Sequence, residues 1–191
     1  MLNIVLFGPP GAGKGTQSEK IIDQYSLVHI STGDLFRKHL KEGSELGKKA
    51  KEFIDAGNLV PDEVVIGMVD VKINETPATS GFIFDGFPRT VAQAEALDQL
   101  LEKNNTSISL MIALQVPDDE LRERLMLRGK TSGRSDDQDI DKINNRIKVY
   151  KEETLPVANF YKSQGKLAEV NGVGSIDEIF AEIRKEIDKH N

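Results

Sequence analysis

Short, continuously apolar runs alternate along this chain with stretches whose apolar positions repeat every three or four residues. The runs are LNIVLF (2–7), LVHI (27–30), GFIFD (81–85), ISLMIALQV (108–116) and KLAEV (166–170). Runs with no polar alternation suit strands covered on both faces. Between them, residues 90–103 place Val91, Ala94, Leu97 and Leu101 on one helical face. Residues 117–129 open on Pro117 and two acids and close on Gly129, the chemistry of helix ends. Strand–helix alternation of this kind predicts right-handed βαβ units, a parallel sheet and helices on both sides. Two stretches depart from the rhythm. Residues 31–60 carry two short helical patterns and read as a small helical insertion. Residues 128–138, RGKTSGRSDDQ, are polar with no apolar period and read as a mobile loop.

Composition narrows the class. The chain has 191 residues, enough for one well-buried domain. Lys and Arg number 25 against 31 Asp and Glu, a net charge of −6, which argues against general nucleic-acid binding. With no cysteine, disulfides and cysteine zinc sites are excluded, and His29, His39 and His190 are too scattered for a metal cluster. The opening MLNIVLFG lacks the regions of a secretory leader, and no run approaches membrane-spanning length, so a cytoplasmic protein without membrane association is expected.

Candidate chemistry concentrates first at residues 8–16, GPPGAGKGT, which hold four glycines and one lysine between an apolar run and a helical pattern. Glycine lets backbone approach a ligand closely. Exposed N–H groups, a helix N-terminus and the Lys14 ammonium together make an anion site, so phosphate is the expected ligand. The pattern G-x-x-x-x-G-K runs from Gly8 to Lys14. It continues with Gly15 before Thr16, so the hydroxyl that usually ligates Mg²⁺ directly after the lysine is missing. Asp85 ends the run FIFD and reads as the carboxylate that acts on Mg²⁺ through water.

The arginines are the second signal. The chain has 17 lysines but only eight arginines, and six of the eight (Arg37, Arg89, Arg124, Arg128, Arg134 and Arg146) fall beside glycine loops, run ends or the polar stretch 128–138. The planar guanidinium suits bidentate phosphate binding. Arg124 and Arg128, four apart, share a helical face.

GPPGAGKGT, STGDLFR (31–37), FDGFPRT (84–90), the Arg124–Arg128 pair, GRSDD and VNGVGS (170–175) occur in the order found in adenylate kinases. The chain resembles the short-lid form of that family, among the nucleoside monophosphate kinases, over essentially its whole length. The resemblance implies a P-loop α/β/α fold with a five-stranded parallel sheet in a single kinase domain over 1–191, a monophosphate-binding insertion at 31–60 and a short lid at 128–138. It implies phosphoryl transfer from MgATP to AMP giving two ADP, by a monomer, with no zinc in the lid. Gly11, Ala12, Gly13, Lys14, Gly15 and Thr16 would hold the ATP phosphates, with Arg124 and Arg128 clamping that side and the backbone near Gly174 meeting the ATP adenine. Thr32, Arg37, Asn58, Leu59, Val60, Gly86, Phe87, Pro88, Arg89 and Gln93 would form the AMP site. Arg134 and Arg146 would reach the transferred group and AMP from the lid, and the Phe87–Pro88 bond would be cis. The interval from Arg134 to Arg146 is one residue longer than in the short-lid pattern. The alternatives are a UMP/CMP kinase, in which Ala and Asn tend to stand at the positions of Thr32 and Thr90, and a noncatalytic nucleotide-binding module. A GTPase would need an N-K-x-D motif, which is absent.

Overall fold

A computed structural model describes residues 1–76 and 80–190. Five strands, β1 (Ile4–Phe7), β2 (Val28–Ser31), β3 (Phe82–Asp85), β4 (Leu110–Gln115) and β5 (Leu167–Asn171), form one sheet in the order β2-β3-β1-β4-β5. Every pairing is parallel. Each expected strand exists, with no end displaced by more than two residues.

The continuous apolar runs follow from burial on both faces. Along β1, Val5 and Phe7 join one core with Phe84, Met111 and Leu97, while Ile4 and Leu6 join another with Ile83, Ile112 and Leu125. The first core is covered by α4 (Asp62–Asn74), α5 (Val91–Lys103) and α8 (Pro156–Ser163). The second is covered by α1 (Lys14–Tyr25), α6 (Asp118–Ser132), α7 (Ile140–Val149) and α9 (Ile176–Ile187). This is the expected three-layer arrangement. On α5, Gln93 takes a fully buried position with Ala94, Leu97 and Leu101, and Val91 is only half-buried.

The insertion also forms as two helices, α2 (Thr32–Lys41) and α3 (Glu45–Ala56). Ser31 and Ser44 cap them by accepting from the Asp34 and Gly47 N–H groups, and Gly57 ends α3 at φ 74°.

Residues 128–138 differ from the expectation of a loop. Helix α6 runs past Gly129 to Ser132 and ends at Gly133 (φ 67°). A single 3₁₀ turn, Ser135–Asp137, follows. Gly129 does not stop the helix. A Cβ there would lie 2.4 Å from the Asp137 carbonyl oxygen, so the glycine lets the 3₁₀ turn lie directly on α6. A close approach and a helix stop leave the same residue in the sequence.

The winding reverses beside β1: β2 and β3 lie on one side, β4 and β5 on the other. A crevice at the carboxyl ends of the strands, at such a reversal, is where open α/β sheets bind ligands. Among the described residues no helix is long and apolar enough to cross a membrane.

Candidate active site

The cleft at that reversal measures about 990 Å³. Its floor is the loop after β1. Gly13 sits at φ 91° ahead of α1, which turns the backbone so that the helix opens on Lys14. The Lys14 ammonium donates to the carbonyl oxygens of Gly8 (2.8 Å) and Pro9 (3.0 Å), so it folds back over the loop whose N–H groups would meet phosphate. Burial pushes this ammonium down to about 8, with Asp85 opposing the shift and Arg89, Arg146 and Arg128 adding to it.

Asp85 closes β3 beside that lysine. Burial alone would raise its carboxyl, but neighbouring His29, Lys14 and Arg89 outweigh burial and hold it below its ordinary value. His29 Nε2 stands 3.8 Å from Asp85 Oδ2, too far for a hydrogen bond. An ionised, half-buried carboxylate at the cleft fits the donor chemistry of Mg²⁺ held through water.

The turn after β3 carries the cis Phe87–Pro88 bond expected from the resemblance. It places Arg89 in the cleft, where Arg89 Nε donates to the Gly86 carbonyl at 2.7 Å. Solvent reaches this guanidinium through the cleft, yet the cleft walls surround it. That desolvation, together with Arg146, Arg134 and Arg37, pushes it down to about 10. It stays protonated at neutral pH, and the downward shift records burial first and the crowding of like charges second.

Thr32, Arg37, Asn58, Leu59, Val60, Gly86, Phe87, Pro88 and Gln93 line the same cleft. Thr32 is buried and its hydroxyl donates to the Gly86 carbonyl at 2.8 Å. Arg37, half-exposed, pairs with Asp34. Asn145 Nδ2 donates to the Ala56 carbonyl at 2.9 Å and to Asn58 Oδ1 at 3.3 Å, so α7 touches the insertion at the rim of the cleft.

The remaining arginines converge from α6, the 3₁₀ turn and α7. Arg128 makes a bidentate pair with Asp137 (2.6 and 3.0 Å), and Arg146 donates to Asp137 Oδ1 at 2.7 Å. Arg134 pairs with Asp136 at 2.8 Å, and Arg146 reaches the same carboxylate at 3.0 Å. Despite the extra residue between them, Arg134 and Arg146 meet on one carboxylate. The Asp136 carboxyl is lowered: burial opposes this, but Arg134 and Arg146 prevail. These two buried aspartates were not among the expected site residues. Adjacent acids within a set of arginines were the available signal, and their polarity fitted a loop equally well.

Arg124 stands apart from that cluster. Its guanidinium donates to Glu120 at 2.7 Å and to the Gly172 carbonyl at 3.0 Å, on the wall between the main cleft and a second one of about 290 Å³. Ala12, Gln17 and Gly174 line the second cleft rather than the first, while Gly13 and Thr16 line both. Gln17 Nε2 donates to the Ile176 carbonyl at 3.0 Å and ties that wall to α1.

The sequence model of the adenylate kinase family matches residues 6–166. A protein of Bacteroides thetaiotaomicron named adenylate kinase is 50% identical over 189 residues, covering 99% of this chain and 100% of the relative. Another from Flavobacterium psychrophilum is 52% identical over 179 residues, 94% of each chain. A third, from Phocaeicola vulgatus, is 48% identical over 189 residues, 99% of this chain and 100% of its own. Relatedness at that level spans the phosphate loop, the insertion and the arginine cluster alike, and the chain belongs to the adenylate kinase family.

Proposed function

We propose that the protein transfers a phosphoryl group reversibly from MgATP to AMP, giving two ADP. The observation that carries this reading is that six arginines from separate parts of the chain line the same cleft as Lys14. One nucleotide held on a phosphate loop does not need so many cations. Two phosphate chains brought end to end do.

In this reading Gly11–Thr16 hold the ATP phosphates with Arg128. Arg124 and the backbone at Gly174 hold the nucleoside end in the second cleft. Residues 31–60 form the AMP-binding insertion and residues 128–138 the lid. Thr32, Arg37, Asn58–Val60, Gly86–Arg89 and Gln93 take AMP, with Arg134 and Arg146 between the substrates. An AMP phosphate oxygen attacks the γ-phosphorus, the bond to the β-bridging oxygen breaks, and ADP leaves from each side. The attacking phosphate is already largely ionised at neutral pH, so no general base is required. What the protein supplies is alignment and fixed positive charge where the equatorial oxygens gather charge. Mg²⁺, held through water by Asp85, would neutralise phosphate charge during transfer. Contact between α7 and the insertion narrows the route for water, the competing acceptor. The short-lid resemblance carries the expectation of a monomer. The chain composition and the lack of a long apolar helix among the described residues support a cytoplasmic location.

The rival is transfer to a pyrimidine monophosphate. Thr32 and Thr90 stand where such kinases tend to have Ala and Asn, which favours AMP. We expect kcat/KM for AMP to exceed that for UMP and CMP by roughly 10²-fold, for UMP the scale of leaving one or two buried polar groups unpaired and for CMP, whose amino pattern matches that of adenine, that of the gap left by the smaller ring. Thr32→Ala is expected to narrow the gap, and Arg37→Ala to weaken all three acceptors alike. A coupled ADP assay with each monophosphate measures this. Equal use of UMP and AMP by the wild type would overturn the acceptor assignment.

A further inference from the structure

The two ends of a glutamine amide have nearly the same shape but opposite hydrogen-bonding sense, so their partners decide which is which. Gln93 is buried on the wall of the cleft. Its Nε2 donates to Asp62 Oδ1 at 2.7 Å, and its Oε1 accepts from the Arg89 backbone N–H at 2.8 Å. A carboxylate only accepts and a backbone N–H only donates. If the amide turned over, both contacts would become repulsive. Asp62 is itself held: its second oxygen accepts from the Thr90 hydroxyl at 3.0 Å, and that hydroxyl caps α5 by accepting from the Gln93 N–H at 3.2 Å.

We propose that Asp62 is a specificity-determining positioning residue: it locks the Gln93 amide in one orientation, so that the acceptor pocket takes a 6-aminopurine monophosphate and refuses a 6-oxopurine one. The inference rests on the assignment of Gln93 to the AMP side of the cleft. Beyond its two partners the amide keeps one N–H and one carbonyl lone pair. Adenine matches these with an N1 acceptor beside an N6 donor. Hypoxanthine and guanine present an N1–H donor beside an O6 acceptor and meet like with like. The Thr32 hydroxyl works in the same sense. Its hydrogen is committed to the Gly86 carbonyl, so toward a ligand it can only accept. Cytosine shares the amino pattern of adenine. Asp62 therefore has no part in excluding CMP, which is left to ring size.

Asp62 begins α4, where an acid also favours the helix dipole, so the test must separate orientation from stability. Asp62→Asn keeps the size and can pair with either end of the amide, leaving only the Arg89 N–H to bias it. Asp62→Ala removes the acceptor altogether. The measurement is kcat/KM for AMP, inosine monophosphate and CMP on one preparation of each protein. The ratios then do not depend on the folded fraction. The wild type is expected to favour AMP over inosine monophosphate by about 10²-fold or more. Both variants are expected to narrow that ratio about 10-fold while leaving the AMP-to-CMP ratio unchanged. If all three acceptors fall together, Asp62 is merely structural and the lock is refuted. If the wild type already uses inosine monophosphate as well as AMP, the placement of Gln93 against the base fails first, and the lock with it.

Discussion

Lys14→Met is expected to lower turnover on the order of 10²–10³-fold, the loss seen when one preorganised donor to a developing negative charge is removed. The fold should persist. Among the described residues the Lys14 side chain bonds only the Gly8 and Pro9 carbonyls of its own loop, and methionine follows the same path without a charge. Those carbonyls then lose a partner at the cleft surface, where water replaces it. The effect should fall on kcat rather than on binding alone, because in the proposed reaction the ammonium would meet the charge that develops as the bond between β- and γ-phosphates opens. Steady-state kinetics on a variant with a wild-type melting profile measures it. Near-normal turnover in that folded variant would remove Lys14 from the mechanism.

The same lysine gives a pH signature. With the free-enzyme ammonium down at about 8, charge is lost from the phosphate loop as pH rises through that value. The kcat/KM for ATP, which reports the free enzyme, should therefore fall above about pH 8. Bound phosphates favour the charged form, so kcat should hold to higher pH. Stability of the ligand-free protein runs the other way. Between about 8 and the ordinary lysine value near 10.4, the unfolded chain holds a proton the folded one lacks, so this group favours folding more as pH rises.

What could be read from the sequence was local. The phosphate loop is legible because its glycines and lysine act at fixed spacing on one backbone turn. The strands are legible because burial on two faces removes polar alternation, as in Ile4–Phe7. The arginines stood out as a set because lysine dominates elsewhere, although the sequence could not say that Arg124 would face a different wall from Arg128. The rest depends on distant partners. Asp62 acquires its role from Gln93, 31 positions away. Gly129 looks like a helix stop because the residue that requires it, Asp137, arrives from beyond the helix end. Asp136 and Asp137 look like loop polarity until Arg146, on another helix, is placed against both.

Those aspartates lead to the second large effect, on stability. Asp137 is 1% exposed and lies within ion-pair distance of Arg128, Arg146 and Arg134. Asp137→Ala leaves three guanidinium groups facing one another with only Asp136 between them. Removing one partner of a buried ion pair costs about 3–5 kcal/mol. Here the arginine side chains keep 16–38% of their surface in water, which puts the expected loss near the lower bound, about 3 kcal/mol. For a chain of this size that is a fall in Tm of about 6–12 °C. Asp177, whose pairing with Lys20 is 87% exposed on the acid side, is the control, and Asp177→Ala should change stability by less than about 1 kcal/mol. Nucleotide should distinguish a lost charge partner from lost packing. Phosphates offered to Arg128 and Arg146 replace the missing carboxylate, so saturating MgADP should raise the Tm of Asp137→Ala by more than it raises the wild type. Calorimetry with and without MgADP reads both quantities. An Asp137→Ala protein that melts with the wild type would show the cluster to be as weak as a surface pair. An equal nucleotide shift in the two proteins would show that Asp137 and the phosphates do not share the same arginines.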